Sequence, residues 1–308
     1  MRIVVALGGN ALLERGEPLV AEIQQEHVIA AVEALVPLAL EHDLVITHGN
    51  GPQVGLLALE SARDPDLPHP YPFDTLGAET QGMIGYLLLQ ALENALPGQQ
   101  VVSLITQTLV ADDDPAFGNP TKFVGPIYDE GEAQTKARRW GWQVRPDGNS
   151  WRRVVASPEP QEIIELPTIK VLLADGAVVI CAGGGGIPVR RGPEGQLHGV
   201  EAVIDKDATA ALLAQNLAAE ALLLLTDVPA VELDYGTPNA RSIDRISARE
   251  LEELQFPSGS MGPKVAAACR FVRGTHHVAA IGRLEDAAEV LAGTAGTTIY
   301  DGTLQPES

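Results

Sequence analysis

The chain has 308 residues, 45% of them hydrophobic, and a formal net charge of -20. That size and apolar content suit a folded protein with a substantial core, in one large domain or two lobes, and speak against a disordered chain. The charge speaks against duplex nucleic acid and anionic membrane surfaces as partners, because both are bound through clustered cations.

From the N-terminus, Ile3–Leu7 reads as a buried strand that runs into Gly8 and Gly9. This apolar stretch is too short for the hydrophobic region of a signal peptide, and no later one approaches membrane-spanning length, so a cytoplasmic location is expected. Ile23, His27, Ala30, Ala31, Ala34, Leu35 and Leu38 then recur at helical spacing. Leu44–Thr47 reads as the next strand, and a helix is expected from Thr75 to Leu96. Further strands are Val101–Thr106, Val178–Ala182, Leu222–Thr226 and Val278–Ile281, and further helices Asp205–Leu217, Ser260–Arg273 and Leu284–Leu291. Near-continuous apolar strands alternating with amphipathic helices predict an α/β fold around a largely parallel sheet.

The stretch from about Gly118 to Pro167 departs from this alternation. It holds all three tryptophans (Trp140, Trp142, Trp151), several prolines and a cluster of arginines, without long helical periodicity. It reads as an inserted β-rich subdomain; its aromatic density is against a long disordered loop. Cys181 and Cys269 form neither a ligand cluster nor a disulfide framework, and Cys181 is expected as a buried apolar thiol.

Three predicted strands end in glycine turns: Gly8-Gly9-Asn10, Gly49-Asn50-Gly51 and Gly183-Gly184-Gly185-Gly186. A fourth ends at Thr226-Asp227-Val228. Ligands of open α/β sheets bind at the carboxyl ends of strands, where glycine lets backbone amides approach an anion. One such turn would be ordinary strand-to-helix geometry; three in one chain point to an anionic ligand. No GxxxxGK[ST] loop, protein-kinase signature, zinc-spaced Cys/His cluster or GxSxG elbow is present. Lysine is scarce: only Lys122, Lys136, Lys170, Lys206 and Lys264 occur among 21 Lys and Arg. A lysine is a compact charge on a flexible stem, suited to following a phosphoryl group. Lys136 and Lys170 are read as ordinary surface residues.

Taken together, these segments resemble the carbamate kinases of the amino acid kinase (acetylglutamate kinase-like) family. The stretches that carry the resemblance are VALGGNAL at Val5–Leu12, VITHGNGPQVG at Val45–Gly55, LGAETQGMIGY at Leu76–Tyr86, NPTK at Asn119–Lys122 and GPIY at Gly125–Tyr128. They continue with SPEP at Ser157–Pro160, AGGGGIPV at Ala182–Val189, GVEAVIDKD at Gly199–Asp207, LLTDV at Leu224–Val228, GTPNAR at Gly236–Arg241 and GSMGPK at Gly259–Lys264. The resemblance implies a three-layer αβα sandwich with an open, mainly parallel sheet, two lobes and a protruding β-rich subdomain, at about 118–167. It implies an N-terminal lobe, 1–215, for carbamoyl phosphate or carbamate and a C-terminal lobe, 216–308, for ATP or ADP with Mg²⁺. A homodimer is also implied.

By the same resemblance, Lys122, Lys206 and Lys264 are the catalytic cations, with Asp207 orienting lysines. Gly8, Gly9, Asn10, Gly49, Asn50 and Gly51 are expected to offer amides to the acceptor, with Gly184 and Gly185 on the same side. Thr226, Asp227, Val228 and Met261 join Lys206 and Lys264 around the nucleotide. No protein side chain is assigned to the metal. Phosphoryl transfer suits such a set, because it depends on positioning and charge neutralisation more than on covalent chemistry. Ser260 is expected to cap the helix that carries Lys264. Alone, Lys206 and Asp207 would read as a surface ion pair at a helix start, and Lys122 as a loop lysine. His48 is expected to pack beneath its turn, and His276 and His277 to be structural. Phe123-Val124 and Ile127 depart from the family pattern without removing a charge.

Two other readings compete. A sister kinase with another carboxylate acceptor would normally carry Lys two residues before the first glycine pair, where this chain has Ala6. A non-catalytic sensor of carbamoyl phosphate or nucleotide would not need all three motif lysines and Asp207.

Overall fold

The computed structural model describes residues 1–9, 12–13, 17–18, 20–64, 66–256 and 261–302. The expectations for Asn10 and Ser260 lie outside these residues. An eight-stranded sheet forms the centre, in the order Arg245–Ser247, Thr297–Tyr300, Val278–Arg283, Ala221–Thr226, Arg2–Leu7, Asp43–His48, Val178–Ile180, Val101–Ser103. Only the Val278–Arg283 and Thr297–Tyr300 pair within it is antiparallel.

Alternation along each strand builds two cores. Ile3, Val5 and Leu7 join Leu44, Ile46, Leu223 and Leu225 on one face, under Leu35 of the helix Ala21–Glu41 and Leu88 of the helix Phe73–Ala95. Val4, Ala6, Val45, Leu222 and Leu224 face the other way, onto Leu173 of the helix Leu166–Ala174, Leu213 of Lys206–Asn216 and Phe271 of Met261–Thr275. Both faces of these strands are therefore dry, which is why their sequences run apolar without a break. This is the expected three-layer αβα arrangement.

The predicted strand Val101–Thr106 divides. Val101–Ser103 stays in the main sheet, and the chain turns at Thr106 into Gln107–Val110 of a second, four-stranded sheet. Gln81 fixes the turn: its Oε1 accepts from Thr106 N–H at 2.8 Å and its Nε2 donates to Thr106 O at 3.1 Å.

The inserted segment forms a three-stranded antiparallel sheet of Lys122–Tyr128, Ser150–Val155 and Gln143–Asp147. It also holds a helix, Glu130–Trp140, that sequence periodicity missed. Only Ala133 of that helix is buried, so no apolar stripe marks it. Its ends are nevertheless written in the sequence: Asp129 accepts from Glu132 N–H at 2.8 Å, and Gly141 closes it at φ 69°. Lys136 on this helix is not simply solvated, because its ammonium sits over the Tyr128 and Trp140 rings. Pro160–Ile163, at the end of the predicted insert, pairs with Gln107–Val110 in the second sheet. Arg153 ties insert to body: buried, it lies over the Trp142 and Phe73 rings and pairs with Glu201.

Candidate active site

The Arg2–Leu7 and Asp43–His48 strands are parallel neighbours, so the turns after them lie side by side. They touch so closely that a Cβ on Gly49 would come within 2.9 Å of Gly9 N, and only glycine fits there. The amide roles expected of Gly8 and Gly49 need correcting. Gly8 N–H donates to Leu225 O at 2.8 Å and Gly49 N–H to Leu7 O at 3.0 Å, so both are spent inside the sheet. Their contribution is close approach. Gly51 is different: it opens the helix Gly51–Arg63, whose first-turn amides have no intrahelical acceptor. Sequence periodicity missed that helix too, although Pro52 in its first turn is a start signal.

Gly184 packs against the same turn, with φ +65° and room for no side chain: a Cβ would stand 2.3 Å from Asn50 Nδ2. Asn50 in turn donates to Thr80 Oγ1 at 2.9 Å. Gly184→Ala is expected to lose about 1–2 kcal/mol from the left-handed backbone alone, and more by displacing Asn50. Denaturant melts and the KM for the small anionic substrate together check this. Gly185 stands behind the wall, its carbonyl accepting from Thr108 and Thr209 hydroxyls at 3.0 and 2.9 Å.

These turns form one side of a cleft of about 880 Å³. Lys122, Lys206 and Lys264 all line it, as do Gly8, Gly9, Asn50, Gly51, Gly184, Asp207, Thr226 and Asp227. Val228 and Met261 are not on this wall; Met261 packs against the core beside the helix it begins. Arg152, Ser157 and Asp205 also line the cleft, and sequence reasoning gave none of them a role. Ser157 and Asp205 lay inside quoted motifs, which was the available signal.

At the centre of the cleft is a buried charge cluster. Lys206 Nζ is 2.5 Å from Asp207 Oδ1, and Lys264 Nζ is 3.2 Å from Asp207 Oδ2. The two lysine side chains are 12% and 13% exposed and that of Asp207 6%, so this is no surface ion pair. Lys206 and Asp207 begin a helix capped by Asp205, whose Oδ1 accepts from Asp207 and Ala208 N–H. Lys264 arrives from the first turn of Met261–Thr275. Burial pushes the Lys206 ammonium below its usual range and Lys264 adds repulsion, while Asp207 pulls the other way. Burial alone would raise the Asp207 carboxyl, but the two ammonium groups overcome it and hold it at about 2.

A folded value of about 2 against an ordinary 3.8 means that this carboxylate stabilises the fold above about pH 4. The contribution is lost as pH falls through about 2. Wild type is therefore expected to lose roughly 2 kcal/mol more than Asp207→Asn between pH 5 and pH 2, read from urea melts.

His48 is buried with Nδ1 donating to Gly49 O at 3.0 Å, and burial lowers it to about 4. It supports the turn as a neutral ring. Cys181 is likewise buried, and loss of hydration pushes its thiol up to about 12. His276 lies just before the strand Val278–Arg283, at the end of the main sheet away from this chemistry, and pairs with Asp301. Among the described residues, no three His, Cys, Asp or Glu side chains converge as a metal cage. Among them also, no helix is long and apolar enough to cross a membrane.

Three ammonium groups, a buried orienting carboxylate and glycine turns around one cleft of an α/β sandwich define a phosphotransferase. The amino acid kinase family model matches residues 1–282. A carbamate kinase of Rhizobium meliloti is 55% identical over 303 residues, covering 97% of this chain and 93% of that protein. One from Haemophilus influenzae is 51% identical, covering 97% and 96%. The solved structure of a Giardia lamblia carbamate kinase bound to AMP-PNP superposes with TM-score 0.90 at 38% identity, covering 97% of this chain and 98% of that one. The chain belongs to the amino acid kinase family, on its carbamate kinase branch.

Proposed function

We propose that this enzyme moves a phosphoryl group reversibly between carbamoyl phosphate and ADP, giving ATP and carbamate, which breaks down to ammonia and CO₂. The observation that carries the reading is the meeting of Lys122, Lys206 and Lys264, from three distant segments, in one cleft beside the glycine turns. In this reading residues 1–215 hold carbamoyl phosphate or carbamate, against Gly9, Asn50, Gly51 and Gly184. Residues 216–308 hold the nucleotide, with Thr226, Asp227, Val228 and Met261 on that side. The Giardia relative's AMP-PNP complex supports a nucleotide site in the shared fold.

Lys206 and Lys264 neutralise charge on the transferring group's oxygens, and Asp207 keeps both ammonium groups aimed into the cleft. Lys122 closes over the acceptor side from the inserted subdomain. Asp205 and Asp207 are already engaged by lysines. The donor set therefore fits a Mg²⁺ carried by nucleotide phosphates and water, with no protein side chain assigned to it. The ion would offset phosphate charge. A homodimer in the cytoplasm completes the reading.

The test is a coupled ATP-formation assay with carbamoyl phosphate and Mg·ADP, run against acetylglutamate, aspartate, glutamate and nucleoside monophosphate as alternative acceptors for ATP. Robust ATP formation with carbamoyl phosphate is expected. Preference for an amino acid acceptor would overturn the substrate assignment, and nucleotide binding without turnover would favour a sensor.

A further inference from the structure

Asp205 has no part in the roles assigned above, yet each of its oxygens holds a different part of the apparatus. Oδ1 caps the helix that carries Lys206 and Asp207, accepting from Asp207 N–H at 2.9 Å and Ala208 N–H at 3.1 Å. Oδ2 lies 3.1 Å from Nζ of Lys122. Lys122 is the first residue of the inserted subdomain's sheet, whereas Asp205 belongs to the body. One carboxylate therefore joins the two across the cleft.

The contact differs in kind from the Asp207 cluster. The side chains of Lys122 and Asp205 are 38% and 26% exposed, so water competes for both and the pair is weak. A weak pair can be exchanged. A phosphoryl group carries more charge than a carboxylate and would take the ammonium from it. Meanwhile the pair limits the arcs available to a four-carbon side chain that would otherwise sample solvent. The helix cap fixes the carboxylate itself, so the lysine is held relative to Lys206 and Asp207 and not merely to its own strand.

We propose that Asp205 is a positioning residue: it holds Lys122 at the cleft mouth and releases it to the transferring phosphoryl group. The proposal rests on the reading above in which Lys122 closes over the acceptor side of that group.

The experiment is a double-mutant cycle on the full chain, using Asp205→Asn, Lys122→Met and the double variant in the carbamoyl phosphate and Mg·ADP assay. Asn, like Asp, can cap a helix, so the melting temperature should hold; Asp205→Ser, another capping residue without charge, is the reserve if Asn fails to fold. Asp205→Asn is expected to lower kcat/KM about tenfold, and to change it less than twofold when Lys122 is already Met. A purely structural role would give equal effects in both backgrounds, and that result would overturn the proposal. So would an Asp205→Asn enzyme as fast as wild type or faster while Lys122→Met is slow. If Lys122→Met itself leaves kcat/KM unchanged, the assignment of Lys122 is what fails, and this proposal falls with it.

Discussion

Asp207→Ala is expected to be the most damaging single substitution in the molecule, costing about 3–5 kcal/mol of stability and nearly all turnover. The reason is asymmetry. With the carboxylate gone, Lys206 and Lys264 remain as two buried like charges, each less than 15% exposed, with their shared counter-ion removed. Each then loses its charge or turns toward water, and neither outcome leaves an ammonium aimed into the cleft. Chemical denaturation and single-turnover ATP formation measure the two losses separately. An Asp207→Ala enzyme that melts like wild type would show that the cluster is far better hydrated than its burial indicates.

Lys206→Ala is expected to behave in the opposite way, losing at least about a hundredfold in turnover, as for removal of one transition-state charge contact, with little loss of stability. Asp207 keeps Lys264 as a partner at 3.2 Å, and the substitution removes a charge that burial already disfavours. Wild-type activity should also fall at alkaline pH below the ordinary lysine range, because burial and Lys264 both lower Lys206. A pH–rate profile beside thermal melts of the variant checks both points; turnover near wild type would overturn the role given to Lys206.

The parts of the fold legible in the sequence were those where burial writes a pattern. Ile3–Leu7 and Leu222–Thr226 are apolar without interruption because both faces of the sheet are covered. Glu130–Trp140 was hidden because it buries only Ala133, so its existence depends on Asp129 and Gly141 at its ends. Thr106 was read as strand because its neighbours are apolar; the bend there is imposed by Gln81, 25 residues away. At the site, motif resemblance brought out the lysines and Asp207. It could not show that Gly8 and Gly49 spend their amides on Leu225 and Leu7. That fact depends on strand order, which no local pattern contains. Asp205 escaped notice for a related reason: its second contact, with Lys122, lies 83 residues back along the chain.

The hydrogen-bonded ladder between Arg2–Leu7 and Ala221–Thr226 has a mechanical consequence. The seats proposed for the two substrates hang from adjoining rungs of one stiff peptide lattice, so the span between them is set when the chain folds. Hinging the halves apart to admit reactants would tear that lattice. In the proposed reading the entrance is therefore bounded by the appendage, which carries Lys122 on the cleft wall and is tied to the frame through Arg153.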